Sequence, residues 1–344
     1  MHMADALISP AVGVGMWGVT LAAATYSIKR VQDEIDEKKI PLMGVMGAFV
    51  FASQMINFTI PGTGSSGHLG GGMLLAILLG PYAGFLTMAS ILIIQALFFA
   101  DGGLLALGCN IFNMGFYTCF IGYPFIYKRI VNKGYSNKNI FIASMISSVI
   151  GLQLGAFSVV IETLLSGKTD LPFKTFVLLM QPIHLGIGIV EGLVTAMVVG
   201  FVYKERPEII KNVVLSKRLG NISIKNVLSR MIIVAVLIGG ILSWFASSNP
   251  DGLEWSMMKT SGKEELEATN KIHKTLENIQ EKSAFLPDYS FKLSEDESMQ
   301  ESWPAVSSGT TVSGLVGGCM TLILSTATGF VIYKFKKRKK ESAA

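Results

Sequence analysis

Long apolar segments recur along the whole chain, and they constrain its fold more than any other feature. Only 15% of the 344 residues are charged, whereas a soluble domain usually carries about 25%. Lipid accepts such segments, because a helix of about 20 apolar residues spans the ~30 Å hydrocarbon core of a bilayer. The sequence therefore predicts an all-α integral membrane protein that crosses the cell membrane several times.

Nine apolar segments have the composition of membrane helices. Seven of them precede residue 204 and predict a bundle, and two more flank a polar stretch. The third is too short to span a bilayer unless its neighbours shelter it, and Gly80-Pro81 separates it from the fourth. The predicted helices are 10–28, 41–59, 69–80, 82–99, 104–127, 140–165, 174–203, 230–247 and 311–333.

A change in composition near residue 230 divides the chain into two main parts. The first is a membrane bundle, and the second is a pair of helices on either side of an extracytoplasmic segment. The predicted parts are a membrane domain (1–203), a cytoplasmic linker (204–229), a second domain (230–334) with its extracytoplasmic segment (249–310), and a basic cytoplasmic tail (334–344).

Lysine and arginine concentrate in four segments that fall on one side if nine helices alternate. These segments hold 21 of the 29 basic residues, and cytoplasmic loops retain such residues. The N-terminus is therefore predicted outside and the C-terminus in the cytoplasm. Anionic membrane lipid accounts for the basic tail, so no nucleic acid is expected as a partner. The four segments are 29–40, 128–139, 204–230 and 334–340.

The outer segment 249–310 is acidic, with twelve Asp and Glu against six Lys. This charge fits a solvated surface, and it also fits a funnel for arriving cations. Apolar residues recur at helical spacing across 262–283, which predicts a short amphipathic helix there.

Two nucleotide-like motifs lack the context that their chemistry needs. "SGKT" at 166–169 has Glu162 where a Walker A loop needs glycine, and "GTGSSG" at 62–67 lies between apolar segments rather than in a βαβ unit.

The three cysteines lie in apolar stretches without metal-ligand spacing, so we expect them to be buried small hydrophobic residues. They are Cys109, Cys119 and Cys319.

Ser66 and His184 raise the possibility of an intramembrane serine protease. "GSSG" at 64–67 matches the G-x-S-G of such enzymes, and the two residues would form a nucleophile–base dyad. The alternative is that the glycines of "HLGIGIVEG" let two helices approach closely, with His184 hydrogen-bonded inside the bundle.

The opening "MHMADALISP" places three nitrogen donors in sequence. They are the amine of Met1, the amide of His2 and the imidazole of His2, which close adjacent five- and six-membered rings around a metal. One in-plane position remains for another imidazole, such as that of His68. Planar nitrogen coordination selects Ni(II) or Cu(II), and Co(II) also accepts such donors. The alternative is a terminus without a role; a cleavable signal is disfavoured, because no basic n-region is present.

Several stretches of the chain resemble a family of metal importers. Residues 1–203 resemble the substrate-capture component of cobalt and nickel energy-coupling-factor transporters, the CbiM/NikM family. The second part resembles the small companion subunit CbiN/NikN, fused in one chain. The stretches are "MHMADALISP", "GTGSSGHLGGG" at 62–72, "LGCNIFNMG" at 107–115, "HLGIGIVEGLVT" at 184–195, "PDGLEWS" at 250–256 and "LPDYSF" at 286–291.

The resemblance implies a function and a set of site residues. It implies a transport component, not an enzyme, that binds Ni(II) or Co(II) as its transported substrate through Met1, His2 and His68. ATPase subunits and a transmembrane coupling subunit are expected on separate chains, and cobalamin biosynthesis is one pathway that such transport serves. The resemblance also implies supporting or pocket roles for Asn110, Asn113, His184 and Glu191.

Two features of the first helix region bear on these expectations. The usual family opening is Met-His-Ile-x-Glu-Gly, and Asp5 here is expected to do part of what the missing Glu does. Small residues at Ala11/Gly15 and Gly18/Ala22 suit close packing, either against the coupling subunit or within the bundle.

Beside the metal importer and the serine protease, the third hypothesis is a structural membrane protein that binds no ligand.

Overall fold

Helices dominate the described chain, which also contains one short β-hairpin. In this computed structural model, residues 2–264, 266, 270–291 and 303–341 are described. The elements are α1 (Pro10–Glu34), α2 (Lys39–Gln54), β1 (Phe58–Ile60), β2 (Ser65–Gly67), α3 (Gly72–Leu79), α4 (Pro81–Phe98), α5 (Leu107–Ile111), a π-helical stretch (Phe112–Tyr127), α6 (Lys128–Val131), α7 (Asn137–Leu165), α8 (Phe173–Glu205), α9 (Pro207–Val214), α10 (Lys225–Gly240), α11 (Gly252–Ser261), α12 (Lys271–Ser283) and α13 (Ser308–Glu341).

Each of the nine predicted apolar segments coincides with helical structure, which confirms the all-α membrane class. Five helices of the described residues are long and apolar enough to cross a bilayer: α1, α4, α7, α8 and α13. The fifth predicted segment is α5, the π-helical stretch and α6 in continuous succession. The count of nine crossings and the orientation of the termini remain predictions.

Local sequence signals set the helix boundaries near the N-terminus. The Ser9 side chain accepts a hydrogen bond from the Val12 amide (3.3 Å) at the start of α1, and Pro10 occupies the first helical position, where proline is favoured. Gly80, between α3 and α4, has a φ of +85°, a conformation that residues with a Cβ rarely adopt. The predicted break at Gly80-Pro81 is confirmed.

The two C-terminal helices pack directly onto the N-terminal bundle. α2 is buried along almost its whole length, and both α10 and α13 contact it. Where α10 and α13 approach each other, a Cβ on Gly314 would overlap the backbone of Gly239. The expectation of three buried cysteines is wrong for one of them: Cys319 is exposed on α13, because that apolar helix has one face outside the bundle.

The described part of the outer segment contains two short helices, of which α11 contacts β2 and α12 contacts α4. The amphipathic helix predicted across 262–283 is confirmed in its second part as α12, whereas residues 262–264, 266 and 270 are not helical. Residues 265 and 267–269 of the predicted range lie outside the described residues. α11 begins with a capping box, in which Asp251 accepts from the amides of Leu253 (2.7 Å) and Glu254 (2.9 Å). This D-x-x-E pattern is a helix-start signal in the sequence.

Candidate metal-binding site

The N-terminal segment is inserted into the bundle. Met3 is fully buried, and the Asn110 side chain holds its backbone from both sides. The Met3 amide donates to Asn110 Oδ1 (2.8 Å), and Asn110 Nδ2 donates to the Met3 carbonyl (3.2 Å). The Gly103 amide donates to the same carbonyl (2.9 Å). This segment is therefore seated by an asparagine one hundred residues away.

Asp5 and the loop before α5 complete this seat. Asp5 Oδ1 accepts a hydrogen bond from the Ala106 amide (2.9 Å), so Asp5 takes part in holding the segment, as expected. Gly102 has a φ of +81°, and a Cβ there would lie 2.7 Å from the Asn110 amide nitrogen. A side chain at Gly103 would overlap Asp5. Only glycines allow the loop to come this close.

His2 and His68 lie together, as the sequence predicts. Their rings are stacked, with centroids 5.0 Å apart and an interplanar angle of 17°. His68 Nδ1 lies 3.0 Å from the Leu69 carbonyl oxygen. Burial lowers the pKa of His2 to about 3 and that of His68 to about 4, because a charged imidazolium is disfavoured away from water. Both rings are therefore neutral at pH 7 and keep lone pairs for a ligand. Met1 lies outside the described residues.

His68 follows β2, and two side chains fix the backbone that comes after it. Glu191 of α8 accepts a hydrogen bond from the Gly70 amide (2.8 Å), and Gln54 of α2 donates to the Gly70 carbonyl (2.8 Å). Gln95 of α4 in turn donates to Gln54 (2.9 Å). Glu191, which the sequence singled out, therefore positions the turn that carries His68.

Asn113 lies one turn beyond Asn110 and supports the segment less directly. Its Nδ2 donates to Glu162 Oε2 (2.8 Å) and lies 3.9 Å from the Met3 sulfur. Asn113 thus contacts the side chain of Met3, while Asn110 holds its backbone.

Ser66 and His184 form no dyad in the described structure. Ser66 is fully buried, and its hydroxyl donates to the Asn249 carbonyl (2.8 Å). His184 Nδ1 lies 2.8 Å from the Met180 carbonyl of its own helix. With each group hydrogen-bonded to backbone instead of to the other, the protease hypothesis has no support.

Asp101 and Tyr289 touch the site, and the sequence did not reveal them. His2 Nδ1 lies 3.2 Å from Asp101 Oδ1, while the hydroxyl of Tyr289 donates to Asp101 Oδ2. Tyr289 also stacks on Phe99, with ring centroids 5.0 Å apart. Asp101 lies in a loop and Tyr289 in a 3₁₀ helix of three residues, so no periodic sequence pattern pairs them with His2. Tyr289 lies within "LPDYSF", a stretch that carries the resemblance to CbiN/NikN but no signal for a contact with Asp101.

A segment of the C-terminal part covers the other side of the site. The Ser66 amide donates to the Pro250 carbonyl (2.8 Å), so residues 249–250 lie against β2 just before His68. Gly252, two residues after Pro250, packs on α8. A Cβ at this position would overlap Ile183 and lie 3.3 Å from the His184 ring. Glycine at this position is required by the close approach.

These elements line a partly open cavity of about 750 Å³. It is lined from the N-terminal part by His2, His68 and Asp101, and from the C-terminal part by Asp251, Glu254 and His273. No group of three or more His, Cys, Asp or Glu side chains within the described residues could hold a metal ion. A metal at the histidine pair would therefore need further donors, such as backbone nitrogens or the terminal amine.

Comparison with known proteins gives consistent results for both parts of the chain. Residues 2–209 match the family described as the cobalt uptake substrate-specific transmembrane region, and residues 225–334 match the PDGLE domain. A putative fused nickel transport protein of Archaeoglobus fulgidus is 32% identical over 98% of this chain and 99% of its own length. A cobalt transport protein of Sorangium cellulosum is 29% identical over 61% of this chain and 94% of its own.

A solved structure also matches the N-terminal part. It is a truncated transition metal transporter, with a TM-score of 0.53 and 32% identity, covering 60% of this chain and 99% of the other.

Proposed function

Because the chain belongs to the cobalt uptake substrate-specific transmembrane family and continues into a PDGLE domain, we propose that it is the substrate-binding component of an energy-coupling-factor importer for Ni(II) or Co(II). The relatives are named as nickel and cobalt transport proteins. The observation that carries the proposal is the stack of His2 on His68 next to a buried Met3. A flexible terminus would have no reason to be held this way.

The proposed ligands are the Met1 amine, the His2 amide and imidazole, and the His68 imidazole. Planar nitrogen coordination of this kind suits Ni(II), and Co(II) accepts the same donors. Side chains alone do not supply three ligands among the described residues, which supports a role for backbone nitrogen. The amine must lose its proton to bind, and its ordinary pKa is about 8, so affinity should fall as the pH drops below that value.

Asp101 contacts Nδ1 of His2, the ring nitrogen that the proposed chelate needs. A six-membered ring with the His2 amide closes through Nδ1, and that atom lies 3.2 Å from Asp101 Oδ1. The arriving ion therefore takes Nδ1 from the carboxylate. Until then, Asp101 and Tyr289 keep the His2 ring in place.

The outer domain assists loading in this proposal, since it contacts the site from two directions. Residues 249–250 bond to Ser66 beside His68, and Tyr289 bonds to Asp101 beside His2. A shift of this domain would therefore move both histidines. Separate ATPase subunits and a transmembrane coupling subunit would supply the energy and drive release inside.

The exposed face of α1 is the proposed docking surface for the coupling subunit. Ala11, Gly15, Gly18 and Ala22 are all exposed, so the alternative that they pack within the bundle is wrong. A Cβ on Gly15 or Gly18 would meet nothing within 4 Å. Small residues on a membrane helix permit close approach of a second helix.

Replacing Gly18 with leucine tests this proposal of coupled import. Cells that express the chain with its ATPase and coupling subunits should take up nickel or cobalt, and Gly18→Leu should reduce uptake to background, because the leucine side chain keeps the partner helix away. Metal binding by the purified variant should stay unchanged. Gly200→Leu is the matched control, since Gly200 of α8 also has open space around it. Equal uptake by the two variants would exclude this face as the docking surface.

Asn110→Leu should lower metal affinity by about 10- to 100-fold, the usual cost of losing a group that orients a metal ligand. Leucine has a similar size but makes neither hydrogen bond to Met3, so the segment that carries His2 loses its seat. The affinity is measured by calorimetric titration of the purified chain with Ni(II). Asn139→Leu is the control, because the Asn139 side chain donates to the Gly134 carbonyl (2.7 Å) at the turn before α7 and makes no hydrogen bond to Met3 in the described structure. An unchanged affinity in Asn110→Leu would show that this seat is dispensable.

A further inference from the structure

The cavity beside the histidine pair contains another histidine, which the proposed metal site does not use. His273 of α12 lines the same space as His2 and His68. It is 4% exposed, and neither of its ring nitrogens has a hydrogen-bond partner among the described residues. A neutral imidazole carries one N–H donor and one lone pair, and burying both unpaired is unfavourable. This arrangement points to a ligand that binds the ring.

Two carboxylates, Asp5 and Glu277, line the same cavity as this ring. Asp5 and His273 interact electrostatically, and Glu277, one turn further along α12, also lies close enough to influence Asp5. All three residues line the cavity. An imidazole and a carboxylate that line one cavity are donors that a divalent transition-metal ion accepts.

α12 is held firmly in this position. The Asn270 side chain accepts from the Ile272 amide (3.0 Å) at its start. Near its end, Gln280 donates to the carbonyls of Ala96 (2.8 Å) and Gly102 (2.7 Å). His273 is thereby fixed above the same loop that carries Asp101 and receives the N-terminal segment.

On the basis of the proposed metal-capture function, we propose that His273 and Asp5 form a staging site for Ni(II) or Co(II), which holds the hydrated ion in the outer cavity before it reaches His2 and His68. Two side-chain ligands with water make a weak site, as expected from the absence of a three-residue cluster among the described residues. Weak binding is what a transit site needs, since the ion must leave as well as enter. The His χ2 torsion is broad, so rotation of the ring turns a nitrogen toward the cavity.

The staging site is tested in a chain that lacks the terminal chelate. Purified full-length His2→Ala chain is titrated with Co(II) by equilibrium dialysis and visible absorption. It should retain one weak Co(II) site, and His2→Ala/His273→Gln should raise its apparent Kd by at least about tenfold. Glutamine keeps polar groups and a similar volume, so packing is preserved. The control is His2→Ala/Lys274→Gln, which changes the exposed neighbour and should bind as His2→Ala does.

A loading measurement gives a second, independent readout. His273→Gln in the otherwise intact chain should load Ni(II) about tenfold more slowly, because a local store of ions raises the capture rate, and it should reach the same final occupancy. The staging site would be overturned if His2→Ala and His2→Ala/His273→Gln bound Co(II) with equal affinity. It would also be overturned if His273→Gln and the unchanged chain loaded Ni(II) at equal rates. The proposed function fails by a different result, namely His2→Ala binding metal as tightly as the unchanged chain.

Discussion

Two residues added before Met1 are expected to abolish the high-affinity binding of Ni(II) and Co(II) at the proposed chelate of the purified chain. The proposed chelate closes a five-membered ring through the terminal amine, and an extension converts that amine into an amide and moves the new terminus away. The buried Met3, held by Asn110, leaves little freedom to compensate. Affinity should fall by more than about 100-fold, beyond the range for supporting residues, and His2→Ala should have the same effect.

The length of the extension matters for this experiment. A single added residue would place histidine third, where the amine, two amides and the imidazole can chelate a metal without His68. Two added residues avoid that artefact. The metal content of the purified chain is measured by elemental analysis, and a chain with two residues added after Ala344 is the control. If the N-terminally extended chain binds like the control, the terminal amine is not a ligand.

His68→Ala is expected to lower the affinity for Ni(II) by more than about 100-fold, whereas His184→Gln should retain most of it. The His68 ring stacks on His2, and its turn is fixed by Glu191 and Gln54. His184 instead bonds to the Met180 carbonyl of its own helix (2.8 Å). The two variants therefore separate a ligand from a buried histidine nearby.

Calorimetric titration at pH 7.5 or above, where imidazole protonation does not limit binding, measures both affinities. The fold is checked by thermal unfolding of the metal-free variants. Equal losses in the two variants would place His184 among the ligands. Retention by His68→Ala would instead remove His68 from the site.

Some of the candidate site could be predicted from sequence because its signals are local. Met1 and His2 are adjacent, so the order of their nitrogens is a covalent fact. His68 is a candidate ligand because few histidines fall on the predicted outer side. Asp101 and Tyr289 carry no such signal: they are 188 residues apart in sequence, and only folding brings them together. The same applies to Ser66 and Asn249, which are 183 apart.

The structure also decided between alternatives that the sequence left open. Ser66 and His184 looked like a dyad by motif, but the hydroxyl of Ser66 bonds to the backbone of residue 249. The small residues of α1 suited packing either inside or outside the bundle, and they prove to be exposed. In both cases the residue type was informative, while the direction in which the side chain or helix face points depends on its neighbours.

The sequence by itself determined the membrane class and the helical segments, and it placed His2 directly after Met1. Hydropathy and covalent order follow from residue type and position alone, so they need no coordinates. Only the tertiary structure placed His2 on His68, seated Met3 on Asn110, and brought Asp101, Tyr289 and His273 to one cavity. The physical reason is that these contacts join segments far apart in the chain, and the packing of whole helices fixes which of them meet.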